Sequence, residues 1–407
     1  MKKVLFITYS WPPKGGVGVM RALKFVKYLP KFGWMPTVLT TDDSARASMS
    51  RSEDAGMDMN FYKIVKTGYE EKFVFLPDRL RKLLLVPDTN IGWLDHALKQ
   101  ALKLHGEERF DVIFSMSPPS TAHMIGRLVK EKTGLPWIAD MRDLWSDYHF
   151  EKEFFLKKRI FSIPLERKVL KDADLITIVS SNWARALART SRVAPSRIRV
   201  VTNGFDEEDF NGMPSMKPEK FTMGYTGKLN RVSQDPEVLF EAVSECVKDG
   251  SIDRNKIDIE FYTLGFEKAD ISGLAGKYKI DDIVKEHGPV DYKEALRIQK
   301  SSSMLLFFQW KGASGWYSAK IFEYLGSRRP IIVISEKDSI VNGLVRELNA
   351  GFVANSKKEL KEILLKCYNE HKEIGFVASG IDEEKLKSYT RSYVAQELAG
   401  IFNELRR

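Results

Sequence analysis

Lys320 and Glu323 stand three residues apart in a stretch that runs from Gly312 through Gly315 and Tyr317 to Pro330 and then Ile331–Ile334. Read locally, this is a glycine-bearing loop, a short helix and a buried strand. On such a helix both side chains leave one face near the first turn, where backbone N–H groups have no intrahelical acceptor. A cation, an anion and a helix N-terminus then converge. That set suits a nucleoside diphosphate, with Lys320 and the N–H groups on phosphate and Glu323 on ribose hydroxyls. The same spacing also fits a solvated helix face, because Lys-x-x-Glu pairs are common there.

Other residues carry chemistry of a narrower kind. Gly15, Gly16 and Gly18 follow one strand and open a helix, a context in which backbone approaches a phosphate or sugar closely. A dinucleotide fingerprint needs a small residue three positions after Gly18; Arg21 stands there, which argues against nicotinamide binding. Gly227, Lys228 and Arg231 follow a second strand. Arg142 and Asp143 follow a third, and an arginine there stays protonated and cannot act as a base. His123 begins a helix after Pro118 and Pro119 and is open to a role at the strand ends or to plain packing. Asp172 and Asp174 have the spacing of a metal-binding acid pair, but a helix hands over to a strand at that point, and solvation of the helix end explains them better. The six histidines show no ligand spacing, so no metal is expected.

Short apolar runs that alternate with helix-period segments must position these groups, the pattern of βα units and a mainly parallel sheet. In the first half strands are predicted near 3–9, 36–40, 110–115, 136–140, 174–179 and 198–202, with helices at 18–31, 119–133, 152–171 and 181–190. After Asn203 the alternation restarts. Strands near 221–226, 257–262, 283–286, 303–308, 331–334 and 351–353 are separated by helices near 236–247, 291–300, 318–326, 339–348 and 357–371, and 383–405 reads as a last helix. Segment 42–108 interrupts the rhythm. Its stretch Phe73–Leu85 interleaves aromatic and basic residues, and fits either a membrane-facing or acceptor-gripping insert or a cap over the first sheet.

At 407 residues with 43% hydrophobic content the chain supports two domains rather than disorder. Only Cys246 and Cys367 occur, so neither a disulfide framework nor a cysteine zinc site is available and a reducing cytoplasm is expected. The apolar run Val4–Ile7 is too short for a signal peptide, and no run reaches the length of a membrane span. Net charge is +9, with +12 over residues 1–205 and −3 over 206–407. The first half is therefore suited to an anionic partner such as a membrane surface or phosphate-bearing substrate, or it is simply a soluble basic surface.

Taken together, the run from Val4 to Arg21, Asn203–Asp206, Tyr225–Lys228 and the block around Lys320 resemble the family-four nucleotide-sugar glycosyltransferases. The resemblance spans nearly the whole chain. It implies the α/β GT-B fold: two Rossmann-like, doubly wound domains facing across a cleft, with a C-terminal helix crossing back. The corresponding boundaries are 1–205 for an N-terminal acceptor domain, 206–382 for a C-terminal donor domain and 383–407 for the returning helix. It further implies a metal-independent, retaining hexosyl transfer from a UDP- or GDP-sugar to a glycan or lipid-linked hydroxyl, in cell-surface polysaccharide or glycoconjugate synthesis. No resident cofactor and no nucleic-acid partner are expected, and the location is cytoplasmic or peripheral on the inner membrane face.

Residue by residue, the resemblance gives Lys228, Arg231 and Lys320 the task of neutralising the departing diphosphate. Gly16, Gly227, Val290, Ser314, Gly315 and Glu323 fall to the donor, with Val290 in a loop that contacts the nucleobase through main-chain atoms. Gly15, Arg21, His123, Arg142 and Asp143 fall to the acceptor or sugar side. Two departures stand out. Gly315 occupies the place of the first of two glutamates found in relatives, and Arg142 the place of a histidine that touches the donor hexose. An epimerase of the same fold, or a binding protein without turnover, is the alternative reading.

Overall fold

The computed structural model describes residues 1–14, 16–42, 62–146, 158–214, 217–230, 233–263, 271–312 and 315–405. It divides into two compact units, Met1–Asn203 with Arg391–Arg407 and, between them, Gly204–Thr390. The sequence reading placed these boundaries at 205/206 and 382/383. The second differs most, because Leu386 is buried in the core of the second unit and Asp382 N–H donates to Leu348 O at 2.8 Å. Thr390 then adopts extended backbone (φ −76°, ψ 147°), which breaks the expected single helix over 383–405.

The first unit is built on seven parallel strands: β1 (Lys2–Thr8), β2 (Trp34–Thr41), β3 (Lys63–Thr67), β4 (Val112–Ser117), β5 (Trp137–Met141), β6 (Leu175–Ile178) and β7 (Ile198–Val200). Their order is β3-β2-β1-β4-β5-β6-β7. Val4 to Ile7 are wholly buried, as a strand covered on both faces requires. Its helices are α1 (Val17–Tyr28), α2 (Asp78–Leu84), α3 (Leu94–Glu108), α4 (Thr121–Thr133), α5 (Ile163–Lys171) and α6 (Ser181–Ser191). β3, α2 and α3 lie in the segment whose rhythm the sequence hid. α3 does cap the sheet, through buried Ala97, Ala101 and Leu104, but α2 has no buried residue.

In the second unit six parallel strands, β8 (Phe221–Thr226), β9 (Ile257–Tyr262), β10 (Val284–His287), β11 (Met304–Phe308), β12 (Ile331–Ile334) and β13 (Gly351–Ala354), lie in the order β10-β9-β8-β11-β12-β13. The helices are α7 (Glu237–Lys248), α8 (Ile271–Lys277), α9 (Tyr292–Ser301), α10 (Ala319–Ser327), α11 (Ile340–Glu347), α12 (Lys357–Ile374) and α13 (Glu383–Leu386). α14 (Arg391–Glu404) returns to the first unit, where Phe402 meets Trp34 and Phe114 at ring separations of 5.1 and 5.5 Å.

In both sheets the chain winds outward from one strand and then restarts on that strand's other side, between β1 and β4 and between β8 and β11. The carboxyl ends of such strand pairs are where doubly wound sheets bind ligands. The loop after β1 holds Gly16, and the loop after β8 holds Gly227 and Lys228. Among the described residues no helix is long and apolar enough to cross a membrane.

Candidate functional site

The second unit brings three of the predicted groups together at the end of β8. Gly227 has φ +99°, a left-handed conformation that glycine tolerates without strain, and its N–H donates to Tyr262 O at 2.8 Å. A Cβ on Gly227 would stand 3.4 Å from Lys320 Cε and 3.6 Å from Nζ. Lys320 thus lies directly under this turn. Its Nζ also sits 3.5 Å from the centroid of the buried Tyr225 ring.

Lys320 belongs to the first turn of α10, whose N-cap Ser318 makes no side-chain capping bond. Although the residue as a whole is half-buried, Nζ is shut off from water and has no hydrogen-bond partner. Desolvation pulls its pKa from 10.5 down to about 7, opposed by the charge of Glu323 one turn further along α10. A buried ammonium with three unmet donors beside an uncapped helix N-terminus is an arrangement that an anion would complete.

The surrounding frame is rigid. Tyr324 Oη accepts from Thr226 N–H at 3.1 Å, and Gln299 Nε2 donates to Thr226 Oγ1 at 2.9 Å, which fixes the last residue of β8. Gln234 Nε2 donates to Phe308 O at 2.8 Å, while Lys311 N–H donates to Ser233 O at 2.8 Å. Ser233 and Gln234, where relatives often place a basic residue, therefore tie the loop after β8 to the loop after β11. Lys228 is exposed, with its carbonyl accepting from Tyr225 Oη at 2.8 Å. Val290, Gly315 and Glu323 are half-buried. Arg231 and Ser314 lie outside the described residues, as does Gly15.

Sequence reasoning missed two groups here. Tyr225 entered the sequence reading as the start of the Tyr225–Lys228 motif with no role of its own, yet its ring faces the Lys320 ammonium. His287, directly before Gly288–Val290, stacks on Tyr262 at 4.3 Å with its Nε2 buried and unpartnered. Histidine spacing gave no signal for it.

In the first unit Gly16 is the N-cap of α1 with φ +107°. Arg142 lies over the first turn of that helix, so that a Cβ on Gly18 would collide with its guanidinium, and it pairs with Asp143 at 3.1 Å. The other two residues expected on the acceptor side are inside the unit instead. Arg21 is fully buried: Nε and Nη2 donate to the two oxygens of Asp140 at 3.0 and 2.8 Å, and Nη1 to Thr202 O at 2.7 Å. Nη2 further reaches Val201 O at 3.0 Å, so the guanidinium braces the chain just before Asn203. With every direction of the fork engaged, Arg21 is structural rather than acceptor-binding. His123 is also fully buried, 2.8 Å from Ser115 Oγ, and burial pulls its pKa down to about 4. Packing against the sheet wins over an exposed position at the strand ends. Asp172 and Asp174 are likewise accounted for by ion pairs with Arg127 and Lys130.

The sequence profile of the glycosyl transferase 4-like domain family matches residues 15–204. Among curated proteins none matches the chain. Solved structures show the fold of the whole. Alr3699/HepE from Anabaena, in complex with UDP, is 15% identical over 99% of this chain and 100% of its own, with a TM-score of 0.68. WaaG, a glycosyltransferase involved in lipopolysaccharide biosynthesis, is 13% identical over 98% and 99%, with a TM-score of 0.59. A putative UDP-N-acetylglucosamine 2-epimerase from Listeria monocytogenes is 13% identical over 100% and 97%, also at 0.59. The two units have the parallel-sheet α/β fold of GT-B glycosyltransferase structures.

Proposed function

We propose that the protein transfers a sugar from a nucleoside-diphosphate sugar to a hydroxyl of a glycan or lipid-linked acceptor, with retention of configuration. The observation that carries this reading is the buried, unpartnered Lys320 Nζ beneath Gly227 at the uncapped start of α10. In glycosyl transfer the bond between the anomeric carbon and the phosphate oxygen breaks, and its electron pair leaves with the diphosphate. The acceptor oxygen forms the new bond as the sugar passes through an oxocarbenium-like state. Negative charge therefore grows beside Lys320 and the first-turn N–H groups of α10, which favours the transition state over the bound donor; this reading assigns Lys228 and Arg231 to the same charge. Glu323 would accept from ribose hydroxyls, and main chain at Val290 would face the nucleobase.

A crevice of about 780 Å³ along the ends of β11, β12 and β13 is the competing place for a ligand in the second unit. Two of its three lining lysines already have carboxylate partners, Lys357 with Glu241 and Glu245 at 2.7 Å each and Lys311 with Glu336 at 3.0 Å, and the third, Lys337, is exposed to water. Lys320 has none, so a phosphate gains more there.

UDP is the nucleotide with most support, because HepE was solved with it. With cations doing the work of a divalent ion, transfer is proposed to be metal-independent. The acceptor side falls to the basic first unit, and a place in cell-surface polysaccharide or glycoconjugate synthesis at the cytoplasmic membrane face follows from that assignment. Gly315 in place of an acidic residue is the observation favouring a binding protein without turnover. Product analysis with a panel of UDP- and GDP-sugars, supplied with glycan and lipid-linked acceptors, separates the readings. Glycoside formation is expected; a C2-epimerised nucleotide sugar, or donor bound and returned intact across the panel, would overturn it.

A further inference from the structure

Helix α2 is seven residues long, contains Leu80, Leu83 and Leu84, and buries none of its residues. A helix this short is not stable in water alone; it depends on the burial of an apolar face. This one has the face without the cover. Leu80, Leu83 and Leu84 fall at i, i+3 and i+4, one continuous stripe, and each is 40% exposed or more. The turn ahead of it extends the stripe. Leu76 N–H donates to Phe73 O at 3.0 Å, and Phe73 is held at φ +54°. This tight turn presents Val74 and Phe75 at its tip, with Phe75 79% exposed and its ring edge-on to Phe73 at 6.2 Å. Arg81 fastens the assembly from behind through Glu71 and Asp78, at 3.7 and 3.5 Å.

Six large apolar side chains within twelve residues thus face water. Arg79, exposed, borders the leucine stripe on the helix, Lys82 projects from the helix's other side, and residues 1–205 carry a net charge of +12. Apolar tips flanked by basic side chains whose stems lie along the apolar surface are the composition of a segment lying in a lipid interface. A second copy of this chain would bring the same basic charge to the contact and be repelled. An anionic bilayer is the complement in both respects.

We propose that Phe73–Leu84 is a docking element for anionic bilayers, with Val74 and Phe75 entering the headgroup–acyl boundary, α2 lying in the plane, Arg79 meeting lipid phosphates and Lys82 adding its charge from within a Debye length of the surface. This deepens the acceptor side of the function proposed above, and leaves donor binding in the second unit unaffected.

The test is sedimentation of the full chain with vesicles of phosphatidylcholine alone or with roughly one-third phosphatidylglycerol, across a salt series. UDP binding is measured on the same samples, so that loss of lipid binding is distinguishable from failure of the donor site. The wild-type chain is expected to sediment with the anionic vesicles at low salt and to be released as salt rises. Phe75→Ser with Leu84→Ser should lower partitioning roughly tenfold or more. Arg79→Glu with Lys82→Glu should lower it at least about tenfold and flatten the salt dependence. As a reading that does not depend on loss, Phe75→Trp should shift its emission to the blue on anionic vesicles and be quenched by brominated acyl chains. Sedimentation unchanged in both double variants, or an unshifted Phe75→Trp spectrum, would overturn the proposal. So would a wild-type dimer that ignores vesicles and dissociates in the Phe75→Ser, Leu84→Ser variant, which would assign the stripe to a second copy.

Discussion

Replacing Lys320 with methionine should move stability and ligand affinity in opposite directions. In the free protein the ammonium is desolvated without a hydrogen-bond partner, and its pKa falls from 10.5 to about 7. At about 1.4 kcal/mol per unit this sets a ceiling of roughly 4–5 kcal/mol on the folding penalty at neutral pH. Removal of an unsatisfied buried polar group recovers about 1–3 kcal/mol in practice. The cation–π contact with Tyr225 gives back about 0.5–2 kcal/mol of that, while methionine keeps most of the packing on the ring. A net gain of about 1 kcal/mol is expected, or roughly 2–4 °C in the melting temperature of the second unit. Because the folded pKa lies below the unfolded one, the penalty is fully present below about pH 7 and fades as pH rises toward 10.5. The advantage of the variant should therefore shrink by pH 9. UDP affinity should fall at the same time by about 1.5–3 kcal/mol, or roughly ten- to 150-fold, through lost charge-assisted hydrogen bonds. Calorimetric melting and titration on one preparation measure both. A variant that is less stable and binds UDP as tightly as the wild type would refute the reasoning, and would make Lys320 a structural residue.

Proton linkage gives an independent check. UDP binding at pH 8 should take up close to one proton, because the anion restores charge to a Lys320 that is largely neutral in the free protein, and titration in buffers of different ionisation enthalpy should find no such uptake in Lys320→Met. Arg21→Met should destabilise the first unit by about 3–5 kcal/mol, since Asp140 is left charged and buried without its partner, and should leave UDP affinity unchanged in urea-free buffer; a weakened acceptor KM with wild-type stability would restore Arg21 to the acceptor site. Transfer should survive EDTA, and loss that magnesium or manganese restores would contradict the assignment of diphosphate charge to lysine and arginine.

The alternation of apolar runs and helical periods was enough to locate the sheets, because strands such as Val4–Ile7 and Ile331–Ile334 are buried on both faces and read as uninterrupted apolar segments. β3 escaped, since as an edge strand it sets Lys63 and Lys66 on either side of only Ile64 and Val65, with no period-2 alternation, and only Thr67 is buried. α8 was lost among the glycines at 273 and 276. At the site, the Lys320 and Glu323 spacing and the glycine at 227 were legible, because each is a local requirement of a helix turn or a positive φ. What local spacing lacks is the third dimension. Nothing in the sequence distinguishes the buried Arg21, matched by Asp140 more than a hundred residues away, from an arginine open to a ligand. Burial likewise reassigned His123, and brought His287 and Tyr262 into a stack that no motif announces.

The structure of the protein with UDP bound tests the central claim most directly. A β-phosphate oxygen is expected within hydrogen-bond distance of Lys320 Nζ and of a first-turn N–H of α10, with the ribose hydroxyls on Glu323. UDP seated in the crevice beside Ser335 and Asn355, or on the first unit with Lys320 Nζ still unpartnered, would contradict it.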